Sequence, residues 1–161
     1  MDTQLEQIRD QQKETWNKFS PGWRKWDELT MEFLKPMGDE IIRRINPKDG
    51  DVILDVAAGT GEPGLTIASM MKSGKVIVTD LAEGMLEVAR ENASRRGIKN
   101  METKACDVSE LPFPDSSFDA VSCRFPGEER RFSRYSRWRP GSGSPELPPR
   151  CVSGSAPRPA G

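Results

Sequence analysis

The feature that most constrains the fold is a short apolar run followed by a loop of small residues. Residues 52–56 (VILDV) are typical of a buried strand, and residues 57–61 (AAGTG) follow at once. Pro63 suits the first turn of a helix that ends near Ser73 and Gly74. A second apolar run at 75–79 then predicts another strand. This strand–helix–strand order predicts a parallel βαβ unit.

The same alternation continues along the chain. A helix is predicted over 83–96, a third strand near 101–105 and a fourth strand over 118–123. The fold class is therefore α/β, a doubly wound, mostly parallel sheet with helices on both faces. We expect residues 47–125 to form this unit.

Residues 1–46 precede the first strand and predict an N-terminal helical segment that acts as a cap or lid. Apolar positions at helical spacing indicate one helix over 3–18 and another over 29–45. Phe19-Ser20-Pro21-Gly22 is a turn signal that would separate them, and Pro36 would kink or split the second.

The composition changes abruptly at residue 126. Pro, Gly, Ser and Arg make up 25 of the last 36 residues, and few large apolar residues remain. Such a segment buries too little surface to offset its ordering entropy, so residues 126–161 are expected to be a disordered, low-complexity tail. Out-of-frame translation after about Phe125 is our preferred explanation. An RNA-binding stretch is the alternative, because residues 130–139 interleave arginines with aromatics.

Composition excludes several function classes. Residues 1–125 carry 17 basic and 22 acidic side chains, which argues against a nucleic-acid partner. The chain has no histidine, the commonest general base and metal ligand, and its three cysteines fit no zinc pattern, so no metal is expected. No apolar run approaches the roughly 20 residues of a membrane span. The polar N-terminus indicates a cytoplasmic protein.

The glycine-rich loop carries the candidate ligand site. Gly59, Gly61 and Gly64 match a dinucleotide fingerprint, which alone is a weak signal. Asp80 lies 21 residues beyond Gly59 at the end of the second strand, where its carboxylate can accept ribose hydroxyls. Both a nicotinamide cofactor and S-adenosylmethionine would use such an acid.

Asp55, at the end of the first strand, separates these two possibilities. A carboxylate there would repel a pyrophosphate and attract the ammonium group of a methionine moiety. At an effective dielectric near 20, each such pair is worth about 4 kcal/mol before desolvation. The negative charge of Asp55 therefore favours S-adenosylmethionine over a nicotinamide cofactor. The alternative is a helix-capping or turn aspartate.

Three segments in order carry a resemblance to a known family: DVAAGTG at 55–61, DLAxxML at 80–86 and LPFPDSSFDAV at 111–121. Over about residues 40–125 the chain resembles class I S-adenosylmethionine-dependent methyltransferases. It is most similar to their ubiquinone/menaquinone C-methyltransferase-like group, with a type 11-like domain. The resemblance implies a Rossmann-like fold whose full sheet has seven strands, of which four are evident. The fourth strand would then be an open edge and a route to self-association.

The resemblance also implies a function and a set of site residues. S-adenosylmethionine would donate a methyl group to a small-molecule or lipid-like acceptor, leaving S-adenosylhomocysteine. An NAD(P)-binding oxidoreductase domain and a non-catalytic cofactor-binding fragment are the competing interpretations. The implied cofactor residues are Asp55, Ala57, Gly59, Thr60, Gly61, Asp80, Leu81, Met85, Cys106, Asp107, Val108 and Arg124.

Individual roles follow from the same resemblance. Leu81 and Met85 would flank the adenine, and Asp107 and Val108 would address its edge. Leu81 and Met85 could each equally be a core residue. Arg124 would contact the cofactor through its backbone, with its side chain facing solvent. The rings of Trp23 and Trp26 would form part of a substrate lid, with helix packing as the alternative.

Overall fold

A computed structural model describes residues 2–124, 133–136 and 151–153. Its first element is one long helix, α1 (Asp2–Ile45), so the predicted turn at 19–22 is wrong, and Pro21 and Pro36 both lie inside the helix. Pro21 has no N–H to donate to the Asn17 carbonyl. The Ser20 hydroxyl donates to that carbonyl instead, at 2.8 Å. This local replacement lets the helix continue through the proline.

The sheet has five parallel strands in the order β3-β2-β1-β4-β5. They are β1 (Val52–Val56), β2 (Lys75–Asp80), β3 (Met101–Ala105), β4 (Ala120–Cys123) and β5 (Cys151–Ser153). The predicted parallel α/β architecture is confirmed. β4 begins two residues later than predicted, because Phe118 forms only an isolated bridge with Ser136.

β5 corrects the expectation that the tail supplies no strand. Residues Val121 to Cys123 of β4 pair with Cys151 to Ser153, so this part of β4 is not an open edge. Over these residues the β4 edge is already paired, so the expected self-association through an open β4 edge has no support there. The rest of the predicted disordered tail, including most of the arginine-rich stretch, lies outside the described residues.

The two faces of the sheet are covered differently. α1, α2 (Gly64–Met70) and α3 (Glu83–Arg95) pack on one face, against side chains such as Ile53 and Val78. In the described chain, the other face is covered by residues 106–118 and by Tyr135, which pack on Leu54, Val56 and Val121. Alternation along β1 sends Ile53 to the first face and Leu54 to the second. Among the described residues, no helix is long and apolar enough to cross a membrane.

Candidate functional site

The glycine-rich loop leaves the carboxyl end of β1 in a left-handed conformation. Ala57, Gly59 and Gly61 have φ angles of 51°, 60° and 110°. The Ala58 N–H donates to the Thr79 carbonyl of β2 at 2.9 Å, and the Gly61 N–H donates to the Ala58 carbonyl at 3.1 Å. The loop therefore lies across the carboxyl ends of two parallel strands, where open α/β sheets bind ligands.

Ala57 is the one loop position where a side chain sits at an unfavourable φ. We expect Ala57→Gly to stabilise the fold by about 0.5 kcal/mol, since a left-handed alanine costs about 1–2 kcal/mol and glycine's extra chain entropy offsets about 0.5–1. Urea unfolding would measure the change. Ala58→Gly is the matched control, because Ala58 is buried and has an ordinary φ, and it should be destabilising. An equal loss of stability in both variants would contradict the strain argument.

Asp80 fixes the loop to the start of α3. One carboxylate oxygen accepts the Gly59 N–H at 2.9 Å, and the other accepts the Ala82 N–H at 3.0 Å. Burial raises the pKa of Asp80, and the backbone donors at Ala82 and Gly59 oppose that rise. Because each carboxylate oxygen has two acceptor sites, both can still accept a hydroxyl. The structure thus brings Asp80 next to Gly59, and the binding of ribose hydroxyls by Asp80 stays a prediction.

The Asp55 side chain, near the end of β1, is buried inside the protein. It is fully buried, and its carboxylate accepts the Gly64 N–H at 2.8 Å and the Ser122 hydroxyl at 2.7 Å. Burial raises its pKa to about 7, although the Ser122 hydrogen bond and the charge of Arg124 oppose this. Both carboxylate oxygens therefore accept hydrogen bonds from the protein itself, and the attraction of an ammonium group by Asp55 stays a prediction. The helix-capping alternative fits, because Gly64 is the first residue of α2.

Arg124 lies over the loop rather than in solvent, which corrects the expectation for its side chain. Its Nη2 is 3.4 Å from the Ala58 carbonyl oxygen, and its Nη1 is 3.7 Å from the Met31 Sδ of α1.

Two methionines lie near the loop, Met31 beside Arg124 and Met85 beside Gly59. Met85 is buried, and a Cβ added to Gly59 would lie 3.3 Å from the Met85 Cε. Sequence reasoning missed Met31. Its helical spacing from Asp27 and Leu34 was the available signal.

Thr60 faces α1 and α3. Its carbonyl accepts the Asn92 Nδ2 at 3.2 Å, and the same amide donates to Asp27 Oδ2 at 2.8 Å. Among the described residues, Thr60 Oγ1 and Asp27 Oδ1 are buried without a hydrogen-bond partner. Asp27 and Asn92 were not predicted from the sequence. They join α1, the loop and α3 at one point.

The residues after β3 lie beside Asp80. The Cys106 N–H donates to the Asp80 carbonyl at 3.0 Å, and burial raises the pKa of the Cys106 thiol. Asp107 accepts the Ser109 N–H at 2.7 Å and lies 3.9 Å from the Arg9 guanidinium of α1. Val108 packs against the core of the second sheet face.

The remaining predicted residues fall into two groups. Leu81 is half-buried directly after β2, next to Asp80. The two tryptophans lie on different parts of the α1 surface. Trp23 is half-buried, 6.2 Å from the Trp16 ring, whereas Trp26 is 55% exposed with the Lys25 ammonium over its ring. The structure therefore does not bring both tryptophans to the loop. No cluster of possible metal ligands occurs in the described ranges.

Comparison with known proteins identifies relatives of this arrangement. A family described as a methyltransferase domain matches residues 53–134. The aklanonic acid methyltransferase of Streptomyces sp. strain C5 is 34% identical over 110 residues, which cover 68% of this chain and 50% of that protein. The demethylmenaquinone methyltransferase of Symbiobacterium thermophilum is 37% identical over 62% of this chain and 36% of that protein. The chain thus spans about a third to a half of these relatives.

Solved structures agree with the sequence relatives. An S-adenosylmethionine-dependent methyltransferase from Aquifex aeolicus matches with a TM-score of 0.53 and 25% identity, over 62% of this chain and 58% of that chain. The YcgJ protein of Bacillus subtilis matches with a TM-score of 0.58 and 25% identity, over 65% and 47%. The predicted resemblance to class I S-adenosylmethionine-dependent methyltransferases is confirmed. These comparisons give no support to the oxidoreductase alternative.

Proposed function

The chain belongs to the methyltransferase-domain family, and on that basis we propose that it transfers a methyl group from S-adenosylmethionine to a small-molecule or lipid-like acceptor. The observation that carries the proposal is the joint placement of Asp80 and Gly59 at the carboxyl ends of β1 and β2. When bound, the cofactor supplies a methyl group on a sulfonium, so the leaving-group chemistry resides in the cofactor.

The residues present fit this cofactor. Asp80 would hold the ribose hydroxyls through its remaining acceptor sites. Gly59 and Gly61 supply the left-handed turns that shape the loop around the methionine end, and a Cβ at Gly61 would meet Leu65 Cδ1 at 2.8 Å. Leu81 and Met85 flank the adenine. Backbone and side-chain groups after β3, at Cys106, Asp107 and Val108, address its edge.

Charge enters the site indirectly. The Asp55 carboxyl is buried behind the loop, beside the Gly64 N–H, and the Arg124 guanidinium lies over the Ala58 carbonyl. In this proposal Asp55 acts as a positioning residue for the loop and for α2. The chain's own contribution to transfer is to orient the two reactants and to exclude water.

The acceptor is proposed from the relatives. Their names specify aklanonic acid and demethylmenaquinone, so we propose a small-molecule or quinone-like acceptor rather than a nucleic acid. The acidic balance of residues 1–125 supports this choice. With no histidine in the chain, any deprotonation of the acceptor falls to a carboxylate, a water or another non-histidine group.

The proposal includes an organisation of the chain. Residues 1–46 form the cap, residues 47–125 form the cofactor-binding unit, and residues 126–161 form a tail from which Tyr135 and β5 join the core and the sheet of that unit. A cytoplasmic location is part of the proposal and is supported by the polar composition and few cysteines. Because the chain spans only part of its relatives, a cofactor-binding fragment without turnover is the second candidate.

Turnover separates these candidates. Purified full chain would be incubated with methyl-labelled S-adenosylmethionine and reduced demethylmenaquinone, and label in the organic extract would be counted. Label transfer that is lost in Asp80→Asn supports the enzyme. Saturable S-adenosylhomocysteine binding without transfer to this or other phenolic acceptors supports the fragment. Absence of both binding and transfer in folded protein would overturn the proposal.

A further inference from the structure

Helix α1 carries an exposed apolar stripe that the site does not use. Seven large apolar side chains of α1 are exposed, and six of them, all except Trp16, form the stripe, from 47% exposed at Ile8 to 84% at Phe33. Four of them lie in one row with spacings that are multiples of seven, and the other two lie three residues after members of that row. The first row is Leu5, Phe19, Trp26 and Phe33, and the second is Ile8 and Leu29. Two such rows are the pattern of a helix-pairing seam.

This stripe is separate from the face by which α1 packs on its own domain. The packed face contains the buried residues Asp27, Ile41 and Ile45 and the half-buried residues Met31 and Leu34. The stripe lies beside that face and remains exposed in the part of the chain that the structure describes. Gly22 falls in the second row, and a Cβ added there would meet nothing within 4 Å.

Charged residues border the stripe in a self-complementary order. Lys18, Lys25 and Glu32 directly precede Phe19, Trp26 and Phe33 of the first row, and Asp39 lies seven residues after Glu32; all four charged residues are exposed. Two positive charges are thus followed by two negative ones. Asp39 also forms an ion pair with Lys35 on the same helix, and Lys25 lies over the Trp26 ring. Both contacts are solvent-exposed and leave the charges available to a neighbour.

We propose that a second copy of the chain packs antiparallel along this stripe. In an antiparallel pair centred near Glu28, Lys25 faces Glu32 of the partner subunit, and Lys18 faces the partner's Asp39. The same register sets Trp26 opposite the partner's Leu29 and Phe33 opposite the partner's Gly22, a large residue against a small one. A parallel, in-register pair would not bring Lys25 and Glu32 together, because positions directly before the first row would then face positions five residues further along the partner helix.

The arrangement has the form of a two-fold symmetric interface, because each contact occurs twice with the roles exchanged. It also affects the cofactor site. The same helix carries Met31, which contacts Arg124, and Asp27, which shares the Asn92 amide with the Thr60 carbonyl. Pairing of α1 would hold these residues over the glycine-rich loop.

The test begins with sedimentation equilibrium of the full chain over about a hundredfold range of concentration, which should show a monomer–dimer equilibrium. Phe33→Glu should abolish the dimer. Met70→Glu is the matched control, since Met70 is a 56% exposed apolar residue on α2, outside the stripe, and this variant should dimerise normally. Circular dichroism of each variant would separate loss of pairing from loss of folding.

The antiparallel register has its own test. Lys25→Glu places two like-charge pairs in the interface and should weaken dimerisation about tenfold, and Glu32→Lys should do the same. The double variant Lys25→Glu/Glu32→Lys should restore it. Failure of the double variant to recover would overturn the register.

Other outcomes would overturn the proposal as a whole. A chain that is monomeric at every concentration has no such interface. A dimer that survives Phe33→Glu is formed by another surface. Sedimentation of monomeric protein with phosphatidylglycerol vesicles, lost in Phe33→Glu, would assign the stripe to a lipid surface instead.

Discussion

Asp80→Asn is expected to weaken S-adenosylhomocysteine binding by about 100-fold. In the proposed complex the carboxylate accepts hydrogen bonds from the ribose hydroxyls, and hydrogen bonds to a charged group contribute about 1.5–3 kcal/mol each. The amide keeps the side-chain shape but has one acceptor oxygen, so it can serve the Gly59 N–H or the Ala82 N–H but not both as well as the ligand. Calorimetric titration would measure the loss.

The control for this variant is Glu102→Gln. Glu102 is an exposed acid on β3 whose partner is Lys75, so its neutralisation changes the net charge equally without touching the loop. Its affinity for S-adenosylhomocysteine should match that of the unchanged chain. Equal affinities in Asp80→Asn and Glu102→Gln would contradict the role of Asp80.

The free energy of unfolding is expected to fall between pH 5 and pH 8 because of Asp55. Burial raises the pKa of Asp55 from an ordinary 3.8 to about 7. A carboxyl with a raised pKa in the folded state retains its proton there while the unfolded chain ionises. Its contribution to stability is therefore full below about pH 4 and is lost as pH rises through about 7. The shift corresponds to about 4 kcal/mol.

Asp55→Asn should remove this part of the pH dependence. The free energy of unfolding of the variant, measured in urea at pH 5 and pH 8, should fall much less than that of the unchanged chain. Asparagine can still accept from Gly64 while it donates to the Ser122 hydroxyl, so the fold is expected to persist.

A matched acid on the surface provides the comparison. Asp115→Asn changes a carboxyl that is 68% exposed and whose ion-pair partner among the described residues is Arg134. The unchanged chain and this variant should therefore lose the same free energy of unfolding between pH 5 and pH 8. Asp80 also has a raised pKa and the same sign of effect, but it is present in all three proteins. If Asp55→Asn retained the full loss of stability between pH 5 and pH 8, the burial argument would be wrong.

The parts of the fold that were predictable from the sequence depend on local patterns. β1, β2 and the glycine-rich loop follow from short apolar runs and small residues. Asp80 was placed by its position at the end of a strand. Each of these inferences uses residues within about 20 positions of one another, because the structure of these segments is determined mainly by neighbours along the chain.

The parts that were missed depend on partners distant in the sequence. Asp55 faces inward because Ser122 of β4 lies directly opposite it and donates to it. Arg124 covers the loop because Met31 of α1 is there to meet it. Helix α1 continues through Pro21, where the Ser20 hydroxyl donates to the Asn17 carbonyl in place of the missing N–H. In the sequence, the turn signal at 19–22 was stronger than any indication of this hydrogen bond.

β5 illustrates the same limit at the level of topology. Cys151 to Ser153 is a short segment in a stretch dominated by proline, glycine, serine and arginine, and nothing in its own sequence indicates a strand. It pairs because β4 presents unsatisfied backbone groups along its edge. The strand conformation of Cys151 to Ser153 is therefore determined by the edge of β4 and not by the sequence of the segment itself.

If residues 47–125 form a site for S-adenosylmethionine, the chain should also bind the demethylated product of that cofactor. The first measurement is a calorimetric titration of the folded full chain with S-adenosylhomocysteine, with NAD⁺ as the parallel ligand. We expect saturable binding of S-adenosylhomocysteine and none of NAD⁺. Binding of NAD⁺ in preference, or of neither ligand, would contradict this assignment of the site.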